Sequence, residues 1–371
     1  MKKSLLATVS LALVTSFQAQ AQFSMSPLVG FGGADGWLSP GEGGYTFLGT
    51  GNNERGMAYG NNHLYLVSRS GGTSIRILDP ITGADLGALN NTGISGGTFA
   101  VNQAAVGRDG AIYVNNLTTQ STTSPLKVYR WATEGAIPSV AYSGNAGLAG
   151  SRVGDSMAVT GSGSSTLLAL GYGSSPAVAG NNGYAIVDPT AGTATAVAFA
   201  GTPPNAGDFR LGITFSDASH VIGSQGSSLY RYTSFSGASG TLLGSPTYPD
   251  PAGATADRLL AFTVLNGVSL LAVQSTGDSH LSLYDVSNPA SPVFLASGNN
   301  TTAPAANANG TGELAWGAAT DLGNGVFQQT LYGMSSNQGI QAFIVQVPEP
   351  TSIALAALAV GAFVALRRQR K

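Results

Sequence analysis

A chain of 371 residues with a formal net charge of -2 and only 9% charged residues offers no broad basic surface for nucleic acid. It has no cysteine, so neither disulfides nor thiolate metal sites can hold it together. Its 52 glycines call for many turns, and a hydrophobic fraction of 43% with aromatics spread along the chain argues for a packed core rather than disorder.

The N-terminus reads as an export signal. Met1-Lys2-Lys3 is a positive n-region, residues 5–17 form an apolar run too short to span a bilayer, and Ala19-Gln20-Ala21 has the small-x-small form that signal peptidase cuts. The expected signal peptide is 1–21, leaving a mature start at Gln22 and an exported body of 22–346, about 325 residues, enough for one large all-β domain.

Within the body a unit recurs: two apolar strands around a tight turn, then a third strand ending in a turn marked by Asp or Pro. The first copy runs through Gly56-Met57-Ala58-Tyr59, a turn at Asn61-Asn62, Leu64-Tyr65-Leu66-Val67, Ile75-Arg76-Ile77-Leu78 and Asp79-Pro80. The second has Gln103-Ala104-Ala105-Val106, a turn at Asp109-Gly110, Ile112-Tyr113-Val114 and Lys127-Val128-Tyr129-Arg130-Trp131. Asn-Asn and Asp-Gly suit hairpins because they tolerate positive φ.

Four further copies place inner turns near Ser162, Asp217, Asn266 and Asn324, with second strands at 167–170, 220–223, 269–273 and 330–333. Their third strands fall at 184–188, 228–232, 281–286 and 340–345. The spacing of about 50 residues fits a four-stranded propeller blade. Asp79-Pro80 and Asp188-Pro189 mark the same turn two units apart. The expected fold is therefore all-β, a β-propeller of six four-stranded blades, and the body resembles bacterial β-propellers without Trp-Asp or kelch signatures. A spare strand at Tyr45-Thr46-Phe47-Leu48-Gly49 is expected to complete the last blade and remove the open edge. A seven-bladed ring using residues 23–37, or a pair of β-sandwiches, is the alternative.

Chemical motifs are sparse. His63, His220 and His280 lack a second ligand at short spacing, and the Asn/Asp/Gly turns form no dedicated calcium loop, so no metal or cofactor is assigned. Gly93-Ile94-Ser95-Gly96-Gly97 matches G-x-S-x-G in letters only, with no helical pattern after Ser95. Asn116-Leu117-Thr118 and Asn299-Asn300-Thr301 are sequons that would imply surface loops. No catalytic set emerges.

One pattern stands out against the scarcity of charge. The residues just before each innermost strand, which converge at one mouth of a propeller channel, read Glu54-Arg55, Asn102-Gln103, Arg152 with Asp155, Asp208 with Arg210, Asp257-Arg258 and Glu313. Such carboxylates and arginines can simply pair with one another. The functional reading is a mixed-charge pocket for a sugar or uronic acid, in which arginines grip carboxylates in bidentate fashion and a crowded carboxyl has a raised pKa.

The C-terminus carries Val347-Pro348-Glu349-Pro350, an apolar stretch over 353–366, and Arg367-Arg368-Gln369-Arg370-Lys371. As a helix those 14 apolar residues would reach about 21 Å, short of a hydrocarbon core of about 30 Å, so the transmembrane helix expected there is a weak anchor. Basic clusters at both ends of the chain would stay in the cytoplasm with the body on the far side.

Pro348, Glu349 and Pro350 with the apolar helix and basic end resemble the PEP-CTERM sorting signal of Gram-negative bacteria, over 347–371. The resemblance implies recognition by an exosortase, an integral membrane enzyme, and an association with exopolysaccharide and biofilm. The expected function is a non-enzymatic surface or matrix protein that binds an envelope glycan or another surface protein, transiently anchored and then released. The alternative is a polysaccharide hydrolase or lyase with its site at the channel mouth.

Overall fold

The turn at Asn61 and Asn62 shows how the repeat is built. Both residues are left-handed (φ 51° and 60°), the two positive angles that a two-residue hairpin turn requires, and they join Glu54–Gly60 to His63–Ser68 with Tyr59 opposite Leu64. At Asp109-Gly110 the loop is longer, and only the glycine of the pair is left-handed (φ 82°). The two Asp-Pro turns are alike. Asp79 Oδ1 accepts from the N–H groups of Ile81 and Thr82 at 2.9 and 2.7 Å, and Asp188 Oδ1 from those of Thr190 and Ala191 at 2.8 and 2.9 Å.

The computed structural model describes residues 23–146, 148–174, 183–199, 209–224, 229–249, 256–323 and 325–347. They form six sheets arranged as the blades of a propeller. Blade 1 runs outward from Glu54–Gly60 through His63–Ser68 and Ser74–Leu78 to Asp85–Ala88. Blade 2 uses Phe99–Val106, Ile112–Leu117, Leu126–Trp131 and Ser139–Gly144. In blade 3 the innermost strand is split into Ser151–Val153 and Ala158–Thr160 around the left-handed Gly154 (φ 104°).

Blade 4 begins at Gly212–Phe215, blade 5 at Asp257–Leu265 and blade 6 at Gly312–Asp321. The innermost strands contact one another around the ring, with that of blade 6 against that of blade 1. Approach between them is close: a Cβ on Gly212 would lie 1.6 Å from the Arg258 carbonyl oxygen of the next blade, which leaves room for glycine alone.

The closure differs from the expected one. Residues 45–49 form turns against the core, with Phe47 and Leu48 buried. The outer strand of blade 6 is instead Ser24–Pro27, antiparallel to Ile340–Val347, with Trp37–Leu38 adding a short pairing to the same strand. Residues 23–37 thus complete the sixth blade and build no seventh. The apolar run at 45–49 misled because Phe47 and Leu48 serve packing between blades 1 and 6, while Ser24–Pro27 is mostly exposed and carries no strong alternation. In blade 4 the third strand is Arg231–Ser236, displaced from the expected 228–232.

The core lies between blades. Tyr113, Leu126 and Val128 of blade 2 pack on Leu168, Leu170 and Val187 of blade 3. Buried tyrosines then tie neighbours by their hydroxyls, which must find partners once out of water. Tyr332 of blade 6 donates to the Pro80 carbonyl of blade 1 at 2.8 Å, Tyr230 of blade 4 to the Pro289 carbonyl of blade 5 at 2.6 Å, and Tyr65 of blade 1 to Glu134 of blade 2.

Asn116 of the first sequon is fully buried, its Nδ2 donating to the Pro125 carbonyl, so it offers no acceptor to a glycan. Ser95 leads into strand Phe99–Val106 and not into a helix, so the nucleophile elbow is absent there. Residues 1–22 and 348–371 lie outside the described residues, and with them the expected signal peptide and transmembrane helix.

Candidate functional site at the two ends of the channel

Several arginines from the beginnings of the innermost strands gather at one end of the channel. Asp155, buried after the bend at Gly154, is held by two guanidiniums: Arg152 Nε donates to its Oδ2 at 2.6 Å and Nη2 to its Oδ1 at 2.8 Å, while Arg210 Nη1 reaches Oδ2 at 3.1 Å. The hydrogen bonds that Arg152 donates to Asp155 hold its guanidinium in the charged form, raising its pKa against the cost of burial.

Arg55 is buried beside this group and donates from Nη1 to Thr311 Oγ1 at 2.5 Å. Burial lowers its pKa, with Asp155 opposing and Arg152 reinforcing the shift. Arg69 lies 3.5 Å above the Phe99 ring, and burial followed by the like charge of Arg55 pulls it down to about 10. Arg258 packs against Gly310, where a Cβ would meet its Nη1 at 1.4 Å, and burial together with the charge of Arg210 lowers its pKa as well.

The carboxyls fare differently. Glu54 accepts the Gly49 N–H at 2.9 Å through Oε1, and burial raises its pKa despite that bond. Asp257 is buried near Tyr248, whose phenol is pushed well up, first by burial and then by the Asp257 charge. Asp208 lies outside the described residues. Around Asp155 and Glu54 the described chain therefore gathers five guanidiniums, while Asp257 faces Tyr248. Four of the guanidinium nitrogens, Nε of Arg55, Nε and Nη1 of Arg69 and Nε of Arg258, are buried and meet no hydrogen-bond acceptor.

Asn102 and Gln103 act as staples. Asn102 Nδ2 donates to the Gly154 carbonyl at 2.7 Å, and Gln103 Nε2 to the Asp155 and Arg55 carbonyls at 2.7 and 3.1 Å, joining blade 2 to both neighbours. Sequence reasoning missed Arg69, which follows a second strand, and Phe99 and Thr311, which stand at the beginnings of innermost strands but carry no charge to single them out.

Glu313 does not join the arginines. It lines a channel cavity of about 240 Å³ whose walls include Met57, Met157, Ile213, Leu260 and Leu314 and none of the arginines. The side chain remains partly open to the channel yet is enclosed by protein, and this burial pushes its carboxyl well above the ordinary range against one bond at 3.3 Å from the Leu314 N–H. Further along the channel Tyr59, Phe262 and Trp316 occupy the same place on three innermost strands.

Residues 346–371 match the model of the PEP-CTERM protein-sorting motif, and residues 45–207 match that of a domain of unknown function, DUF4623. Among solved structures, a DUF4623 family protein from Bacteroides eggerthii is 17% identical with a TM-score of 0.57, over 81% of this chain and 71% of that one. The Malassezia sympodialis allergen Mala s 1 (12% identical, TM-score 0.49, 78% of this chain and 91% of that one) and the periplasmic gluconolactonase of Pseudomonas aeruginosa (13%, 0.42, 80% and 85%) are more remote. No curated protein matches the sequence.

Fold and motif together define an exported, membrane-sorted six-bladed β-propeller. Residues 346–371 carry a PEP-CTERM sorting motif, of the kind that exosortase-type enzymes recognise, and residues 45–207 resemble the DUF4623 domain.

Proposed function

We propose that the body is a non-enzymatic binding propeller that takes an anionic group of an envelope polymer, such as the carboxylate of a uronic acid, at the arginine end of its channel. The observation that carries this reading is the set of buried guanidinium nitrogens on Arg55, Arg69 and Arg258 without an acceptor. Buried donors in native proteins are nearly always satisfied, and Asp155, the carboxylate at the centre, is already shared by two arginines. An incoming carboxylate supplies the missing acceptors, and arginine's planar fork suits it.

Signal peptidase cleavage before Gln22 and exosortase processing at Pro348-Glu349-Pro350 would deliver the body to the surface. Binding is favoured over cleavage because Asp155, the carboxylate at the centre of the arginine end, is already bonded to both Arg152 and Arg210, whereas glycoside hydrolysis ordinarily uses two free carboxyls, one as acid and one as base or nucleophile. The test is a glycan-binding and depolymerisation screen on protein recovered from the cell surface, beside an Arg210→Ala, Arg258→Ala double variant. Retention of acidic glycans that the double change abolishes is expected. Chain cleavage by the wild type would transfer the reading to a hydrolase or lyase.

A further inference from the structure

An isolated carboxyl among aliphatic side chains is costly to maintain, and burial of this kind without a partner calls for an explanation. Glu313 meets that description. The channel cavity it lines is walled on every blade by apolar residues, from Met57 and Ala104 to Met157, Ile213, Leu260 and Leu314. Its hydrogen bond from the Leu314 N–H, at 3.3 Å, leaves most of the carboxyl's accepting capacity unused.

The cavity is continuous with the mouth opposite the arginines. It shares Val106, Val159 and Phe262 with a second cavity of about 330 Å³, to which Phe215 also contributes. Charged groups there are Arg108 and Asp217, the latter engaged with His220 Nδ1 at 2.8 Å. The result is a well with an aromatic rim and a single acid deep inside.

From this geometry we infer that the channel is a second ligand site, distinct from the arginine end, which takes a small organic amine: its ammonium group meets Glu313 and its apolar body fills the aliphatic wall. Size permits it. An apolar cavity of about 150 Å³ is enough to hold benzene, and this one has about 240 Å³, room for a six-membered ring with one amino group. Charge also selects it. An ammonium compensates the carboxylate that the wall leaves unpaired, and Tyr59, Phe262 and Trp316 offer ring faces that attract a cation on its way in. A neutral ring of equal size would fill the wall but leave the acid unmatched.

Calorimetric titration of cyclohexylamine and cyclohexanol, near neutral pH, into protein recovered from the cell surface tests the assignment. The amine is expected to bind at least tenfold more tightly than the alcohol. Glu313→Gln should remove that preference, and Ala104→Leu, which narrows the wall without touching the acid, should weaken both ligands, each variant being checked for an unchanged β-sheet spectrum. Equal binding of amine and alcohol by the wild type, an undiminished preference in Glu313→Gln, or no saturable amine binding would each overturn it.

Discussion

Ser24 stands opposite Gln346 in the outer strand pair of blade 6, so the first described strand and the last one, which runs into the sorting motif, are hydrogen-bonded neighbours. The ring is thereby closed by residues far apart in sequence, and Met25, opposite Val345, packs with Phe343 into the blade's core. Deleting residues 23–38 is expected to lower the thermal midpoint of the whole body in one cooperative step, followed by circular dichroism. An unchanged midpoint would show that the closing strand is dispensable.

Tyrosine hydroxyls tie the blades, and one of them can be removed with little change of shape. Tyr332→Phe deletes the bond to the Pro80 carbonyl between blades 6 and 1, at an expected cost of about 1 kcal/mol. Chemical denaturation should report it as a lower midpoint with an unchanged slope. A variant as stable as wild type would mean that water replaces the tie without loss.

Gly212 tests the tightness of the ring itself. Alanine there would drive a methyl group against the Arg258 carbonyl oxygen 1.6 Å away, and since that neighbour is backbone, the blades must separate. A loss of about 3 kcal/mol or failure to fold is expected. Full stability of Gly212→Ala in urea would contradict the close contact of blades 4 and 5.

Glu313 gives stability a pH dependence of known sign. Burial raises its carboxyl well above the ordinary 4.5, outweighing the Leu314 N–H, so the native state holds more protons than the unfolded chain above that value. Its contribution is fully present below 4.5 and is lost as pH rises through the raised native value. Glu313→Gln keeps the group neutral, and should therefore melt above wild type at about pH 8 and level with it near pH 4. Parallel melting curves across that range would count against a buried, unpaired acid.

Much of the fold is legible in the chain because its causes are local. Asn61-Asn62 acts through its own left-handed backbone and Asp79 and Asp188 through side-chain bonds to N–H groups two and three residues on, and alternating apolar residues mark the second and third strands. The closure is not local: what makes Ser24–Pro27 a strand is a partner more than 300 residues away, which no periodicity in four mostly exposed residues can announce. The candidate site was legible to the same extent. Arg55, Arg152, Asp155, Arg210 and Arg258 come together because each lies at or beside the beginning of an innermost strand. Glu313 sits one step further into the channel, and that single step moves it from arginines to aliphatic walls, a difference of depth that spacing does not encode. Arg69 arrives from a second strand and is recognisable only through its stacking on Phe99.

The most direct measurement is the salt-dependent binding of an oligogalacturonate, followed by calorimetry, to wild type and to Arg258→Ala. The account expects saturable binding that weakens as salt rises and falls at least tenfold in the variant with its melting curve preserved. Equal affinity for a neutral oligosaccharide, or undiminished binding by Arg258→Ala, would contradict the assignment of the arginine end as the anion site.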